Sequence, residues 1–106
     1  MTTNYKHIAM TIAAHPDDIE FMMAGTLVRL KEAGWSLHYM NVANGSCGSM
    51  TMGAKEIAAV RIEEARQAAE MLGATFHPPL ANDIDIFYTP ELLARVGAIV
   101  REVTPT

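Results

Sequence analysis

A parallel α/β layer fold is what this sequence predicts, and three observations carry the prediction. Short apolar runs alternate with longer stretches whose apolar residues recur at helical spacing, in the order strand, helix, strand, helix, strand, helix. Prolines stand where helices should open (Pro16, Pro90) and glycines where they should stop (Gly34, Gly73). The polar and glycine-rich segments fall behind the apolar runs, where open α/β sheets gather their ligands.

The elements follow in order. "HIAMTIAA", residues 7–14, is an apolar run of the length and type buried in a parallel sheet. In residues 17–34, Ile19, Met22, Met23, Leu27 and Leu30 share a helical period, while Asp17 and Asp18 suit the positive end of a helix. "SLHYMNVA", residues 36–43, reads as a second strand, and the loop beginning "NGSCGS" follows it. A long helix over residues 55–72 puts Ile57, Val60, Ala65, Ala68 and Leu72 on one face. "ATFH", residues 74–77, is the third strand, and "HPPLANDIDIFY" an irregular connection. In the last helix Thr89 caps, Pro90 starts, and Leu92, Leu93, Val96, Ile99, Val100 and Val103 form the apolar stripe. Three strands make a meagre parallel sheet. The expectation is therefore that residues 1–106 form the front portion of one larger domain.

Bulk properties narrow the function. The chain has 106 residues, half of them hydrophobic and 19% charged, which suits one globular core. A net charge of −4 without a basic stripe argues against nucleic acid as a partner. No apolar run approaches the roughly 20 residues of a membrane span, and the N-terminus lacks the pattern of a secretion signal. The single cysteine, Cys47, cannot form an internal disulfide and fits a cytoplasmic location. Eight methionines suggest soft packing, and their place on helix faces makes a homo-oligomer plausible.

The stretch "IAAHPDDIEF" concentrates the chemistry. Adjacent carboxylates repel and resist burial, so Asp17 and Asp18 need compensation. Helix capping would compensate both but leaves His15 without a task. A divalent metal would use all three, because an imidazole and a carboxylate are zinc ligands and a second carboxylate can take a proton from water. Spacing alone leaves both readings open.

"AHPDDIEFMMAGTL" resembles the signature of the LmbE-like, or PIG-L, family of zinc-dependent de-N-acetylases, which act on N-acetylglucosamine-type substrates. The "NGSCGS" loop, the helix segment "RIEEARQAAEMLGA" and the segment through Asp83 and "YTPELL" are similar to later parts of the same family, so the resemblance spans nearly the whole chain. It implies a Rossmann-like parallel sheet with flanking helices, present as its N-terminal part. It also implies zinc held by His15 and Asp18, with Asp17 as general base. Arg61, Glu64 and Asp83 fall on the family's substrate-side positions, Arg61 reaching a substrate oxygen with Glu64 holding it. Ser46, with Asn44 and Ser49, could bond sugar hydroxyls. Two departures stand out. Ala24 occupies a position that is often glycine in the family, and the downstream histidine that would be the third zinc ligand has no counterpart, since "HPPL" at His77 does not match its motif. That ligand is expected after a fourth strand beyond "VTPT".

The remaining candidates have plainer readings: His7 and His38 as strand residues, His77 as a strand-end or loop residue, Trp35 as a packing anchor, Cys47 as a small loop residue. Two rival functions are a non-catalytic relative that binds sugar or metal, and a receiver-type phosphoacceptor domain. The latter needs an aspartate at the end of the third strand, where "ATFHPP" has none.

Overall fold

The computed structural model describes residues 7–106; residues 1–6, part of the stretch read for a secretion signal, lie outside them. Three parallel strands, β1 (Ile8–Ala13), β2 (Ser36–Asn41) and β3 (Ala74–His77), stand side by side in that order. The register pairs Ala9 with Leu37 and Leu37 with Ala74, then Thr11 with Tyr39 and Tyr39 with Phe76. Because strand side chains alternate, these residues share one face of the sheet.

Two helices cover that face. α1 (Asp18–Glu32) brings Ile19 and Leu27, and α2 (Ala54–Met71) brings Ala65 and Ala69, into one cluster with Leu37 and Tyr39. Small alanines on α2 let it approach the sheet closely, while Ile19, Met23, Leu27 and Leu30 fill the space under α1. Met22 is 80% exposed and Val60 also faces water, contrary to the expected stripes. The narrow faces of these helices admit only residues four apart plus close flanks, and Ala58 and Ala69 take the places expected of Val60 and Ala68. Gly34 ends α1 at a φ of 91°, and the Trp35 N–H reaches back to the Leu30 carbonyl at 3.0 Å, a left-handed closure that glycine adopts without strain. Trp35 then packs on the core and stacks on His7.

α3 (Pro90–Val103) starts as the sequence predicts: Thr89 Oγ1 accepts the Leu92 N–H at 3.3 Å and Pro90 occupies the first turn. Leu92, Leu93 and Val96 line an apolar recess of about 330 Å³ with Val42, whose alternation puts α3 on the face opposite α1 and α2. After α3 the chain returns to β1. The Thr106 N–H donates to the Ile8 carbonyl at 2.8 Å and Thr106 Oγ1 accepts the Ile8 N–H at 3.0 Å. His7 offers its carbonyl to Ser36 on β2, so Ile8 faces the other edge. Chain neighbours thus lie on both sides of β1, the edge strand of the three. Ligand sites of open α/β sheets form just past the C-terminal ends of the strands. Among the described residues, no helix is long and apolar enough to cross a membrane.

On the α3 side of the sheet, His38 Nδ1 and His77 Nε2 lie 2.8 Å apart with the rings stacked. Burial first, and the neighbouring His77 second, lower the His38 pKa below 6.5. A base with a lowered folded pKa binds fewer protons folded than unfolded. Its contribution to stability is therefore full above about pH 6.5 and is lost as the pH falls below it. Denaturation midpoints measured between about pH 5 and 8 are expected to drop on the acid side, and less steeply in His77→Gln. An identical drop in the variant would show that this pair does not contribute.

Candidate metal and catalytic site

The turn between β1 and α1 is closed from both directions. The Asp18 N–H donates to the His15 carbonyl at 3.3 Å, and Asp18 Oδ2 accepts the His15 N–H at 3.0 Å. Buried Pro16 fixes the backbone between them. This small ring holds His15 Nδ1 3.8 Å from Asp18 Oδ2, with both side chains about half exposed.

Asp17 behaves differently from a capping residue. Its φ is 82°, in the left-handed region, and its side chain makes no capping bond to α1. Left-handed backbone costs an L-residue roughly 1–2 kcal/mol, less for aspartate than for most. The capping reading is thus corrected for Asp17, because this backbone aims the carboxylate away from the first-turn amides. Asp17 Oδ2 instead lies 2.6 Å from Arg61 Nη2 on α2. Arg61 Nη1 is 3.2 Å from Glu64 Oε2, one turn further along. Burial works against the guanidinium charge, but Asp17 and then Glu64 outweigh it and raise the Arg61 pKa. Glu64 holds Arg61 as the sequence suggested, whereas Arg61 faces Asp17.

Asp83 and Ser46 join two loops. Asp83 Oδ1 accepts the Gly45 N–H at 2.9 Å and Oδ2 the Cys47 N–H at 3.0 Å, while the Asp83 N–H donates to Ser46 Oγ at 3.0 Å. Asn44 Nδ2 donates to Asn82 Oδ1 at 2.6 Å beside them. Asp83 Oδ1 also lies 3.9 Å from His15 Nε2. Asp83 and Ser46, assigned to the substrate side on the sequence, thus tie the loop over residues 44–48 to the segment before α3. Beyond that loop an open cleft of about 660 Å³ is lined by Asn44, Ser46, Lys55, Asn82 and Asp85. So the strand ends carry two polar groups joined by the β1–α1 turn, His15 with Asp18, Asp83 and Ser46, and Asp17 with Arg61 and Glu64.

Sequence reasoning missed the polar group beneath it. Fully buried Tyr39 donates to Glu20 Oε1, and Asn41 Nδ2 lies 3.5 Å from the Tyr39 hydroxyl. Burial, then the bond to Glu20, push the Tyr39 phenol well above its ordinary pKa. The available signal was an inward-facing tyrosine on β2 with an acid in the first turn of α1. Asn41 Oδ1 and Arg61 Nε are buried without a hydrogen-bond partner among the described residues.

The donor chemistry fits zinc. Two ligands of a tetrahedral zinc at about 2.0–2.2 Å stand roughly 3.4 Å apart, and the 3.8 Å between His15 Nδ1 and Asp18 Oδ2 lies close to that. Among the described residues, no group of three or more histidine, cysteine or acidic residues is arranged to hold a metal. His77 is engaged with His38 and does not supply the third ligand.

Known proteins resemble this chain in both sequence and fold. The family described as PIG-L, GlcNAc-PI de-N-acetylase, matches residues 10–106. Diacetylchitobiose deacetylase of Thermococcus kodakarensis is 29% identical over 99 residues, covering 91% of this chain and 37% of that protein. The solved N,N'-diacetylchitobiose deacetylase of Pyrococcus horikoshii superposes with a TM-score of 0.85 at 27% identity, over 94% of this chain and 38% of that one. The 4-carboxy-2-hydroxymuconate hydratase of Pseudomonas putida superposes at 0.83 with 25% identity, over 93% and 44%. The chain thus spans less than half the length of each of these relatives. With the parallel sheet in the same arrangement and a family match over nearly every described residue, the chain belongs to the PIG-L, or LmbE-like, family.

Proposed function

We propose that this chain carries the first part of the active site of a zinc-dependent hydrolase that removes the acetyl group from an N-acetylglucosamine-type sugar. The observation that carries the reading is the His15–Asp18 pair, two zinc-type donors 3.8 Å apart at the strand ends, with Asp17 turned aside from helix capping between them. The likeness to two diacetylchitobiose deacetylases supports the substrate class. A hydratase on the same scaffold means that fold alone does not choose the reaction, so the choice rests on the site.

His15 and Asp18 would hold the ion. Zinc, when bound, supplies the Lewis acidity that lets water ionise near neutral pH. Asp17 takes the proton of the attacking water through Oδ1, since Arg61 occupies Oδ2. Water adds to the acetamide carbonyl, the proton removed by Asp17 passes to the amide nitrogen as the C–N bond breaks, and acetate and the free amine leave. The polar cleft bounded by Asn44, Ser46, Asn82 and Asp85 offers donors and acceptors for sugar hydroxyls. The test measures zinc content and acetate release from N,N'-diacetylchitobiose. His15→Ala is expected to lose both, and acetate release at the wild-type rate by a zinc-free His15→Ala protein would sink the reading.

A further inference from the structure

We infer that Asp83 is a positioning residue for His15: its carboxylate anchors the Nε2 side of the imidazole so that Nδ1 is presented to the ion beside Asp18. The inference rests on the zinc reading and adds the residue that orients its ligand. A histidine that binds a metal through one ring nitrogen carries a proton on the other, and a carboxylate usually receives it. Here the two nitrogens face two different carboxylates. Nδ1 is 3.8 Å from Asp18 Oδ2 and Nε2 is 3.9 Å from Asp83 Oδ1.

Exposure separates the two roles. The Asp18 side chain is 48% exposed and meets an ion arriving from solvent, whereas the Asp83 side chain is 10% exposed. Both Asp83 oxygens already accept loop N–H groups, from Gly45 at 2.9 Å and Cys47 at 3.0 Å, and its own N–H is tied to Ser46. Such a carboxylate cannot swing to follow a ligand, but Oδ1 keeps a second lone pair. A small turn of the imidazole closes 3.9 Å to hydrogen-bond length and makes Nε2–H the donor. A sugar hydroxyl would instead have to displace amides from oxygens that are nearly buried.

The experiment titrates Zn²⁺ into the ¹⁵N-labelled chain at constant pH and follows the His15 ring nitrogens. The expected result is metal on Nδ1 with the proton kept on Nε2, a readout that needs no variant. Asp83→Asn, which turns one acceptor into a donor, is expected to weaken zinc binding about 10–100-fold. Asn82→Ala loosens the same loop without touching the carboxylate and is expected to stay within about twofold. Metal on Nε2, Asp83→Asn binding as wild type does, or an equal loss in Asn82→Ala would each overturn the proposal. Failure of the zinc reading itself looks different: His15→Ala would then bind zinc as well as wild type.

Discussion

Asp17→Asn is expected to lower acetate release by about 100- to 10,000-fold, the usual worth of a general base, while zinc binding and stability stay at wild-type values. The variant is chosen because it changes little else. Asparagine tolerates the left-handed φ of 82° as well as aspartate does, so the turn keeps its shape. Its amide oxygen can still accept from Arg61 Nη2, now 2.6 Å from Asp17 Oδ2. His15 and Asp18 keep their own closed ring through the 3.0 Å bond from the His15 N–H. What disappears is the ability to accept a proton from water. Steady-state acetate release, a zinc titration and a denaturation midpoint check the three parts. Wild-type turnover would remove Asp17 from the base role, and loss of zinc would make it a ligand.

The order of elements was legible because it depends on local pattern. "HIAMTIAA", Thr89–Pro90 and the stops at Gly34 and Gly73 report on their own neighbourhoods, and the observed elements begin and end within two residues of expectation. The grouping of the candidate residues was legible too, since His15, Asp17 and Asp18 sit on one turn. Their partners were not. Asp17 looks like a cap in sequence because capping involves only the next turn of helix, whereas its partner, Arg61, comes from α2. Asp83 looks like a free acid because nothing in "NDID" shows that the amides of Gly45 and Cys47 take both its oxygens. His38 and His77 meet only because β2 and β3 pair in a register that sets Met40 opposite His77. Contacts between elements are fixed by packing, and a single sequence records packing only as a choice of residue size. Glycine is the extreme of that choice.

Gly45→Ala provides the test of whether size at that one place governs the site. Gly45 is buried, has a φ of 81°, and an added Cβ would meet Arg61 Cβ and Cγ at 3.0 Å and Pro16 Cγ at 3.4 Å. The left-handed backbone costs an alanine roughly 1–2 kcal/mol, and overpacking adds about 1–3 kcal/mol. A loss of about 2–5 kcal/mol in unfolding free energy is expected. Relief comes most easily through the Arg61 stem, which carries the guanidinium away from Asp17, and displacements on the order of 1 Å can cost a site about 100-fold in rate. Acetate release should therefore fall about 10- to 100-fold even under conditions where the variant remains folded. Gly25 supplies the opposite case. It lies inside α1, and a Cβ added there would meet nothing within 4 Å among the described residues, so Gly25→Ala should gain roughly 0.5–1 kcal/mol. Opposite signs from the same chemical change would locate the constraint at the Arg61 stem, whereas a shared sign would mean that neither glycine is selected by its surroundings.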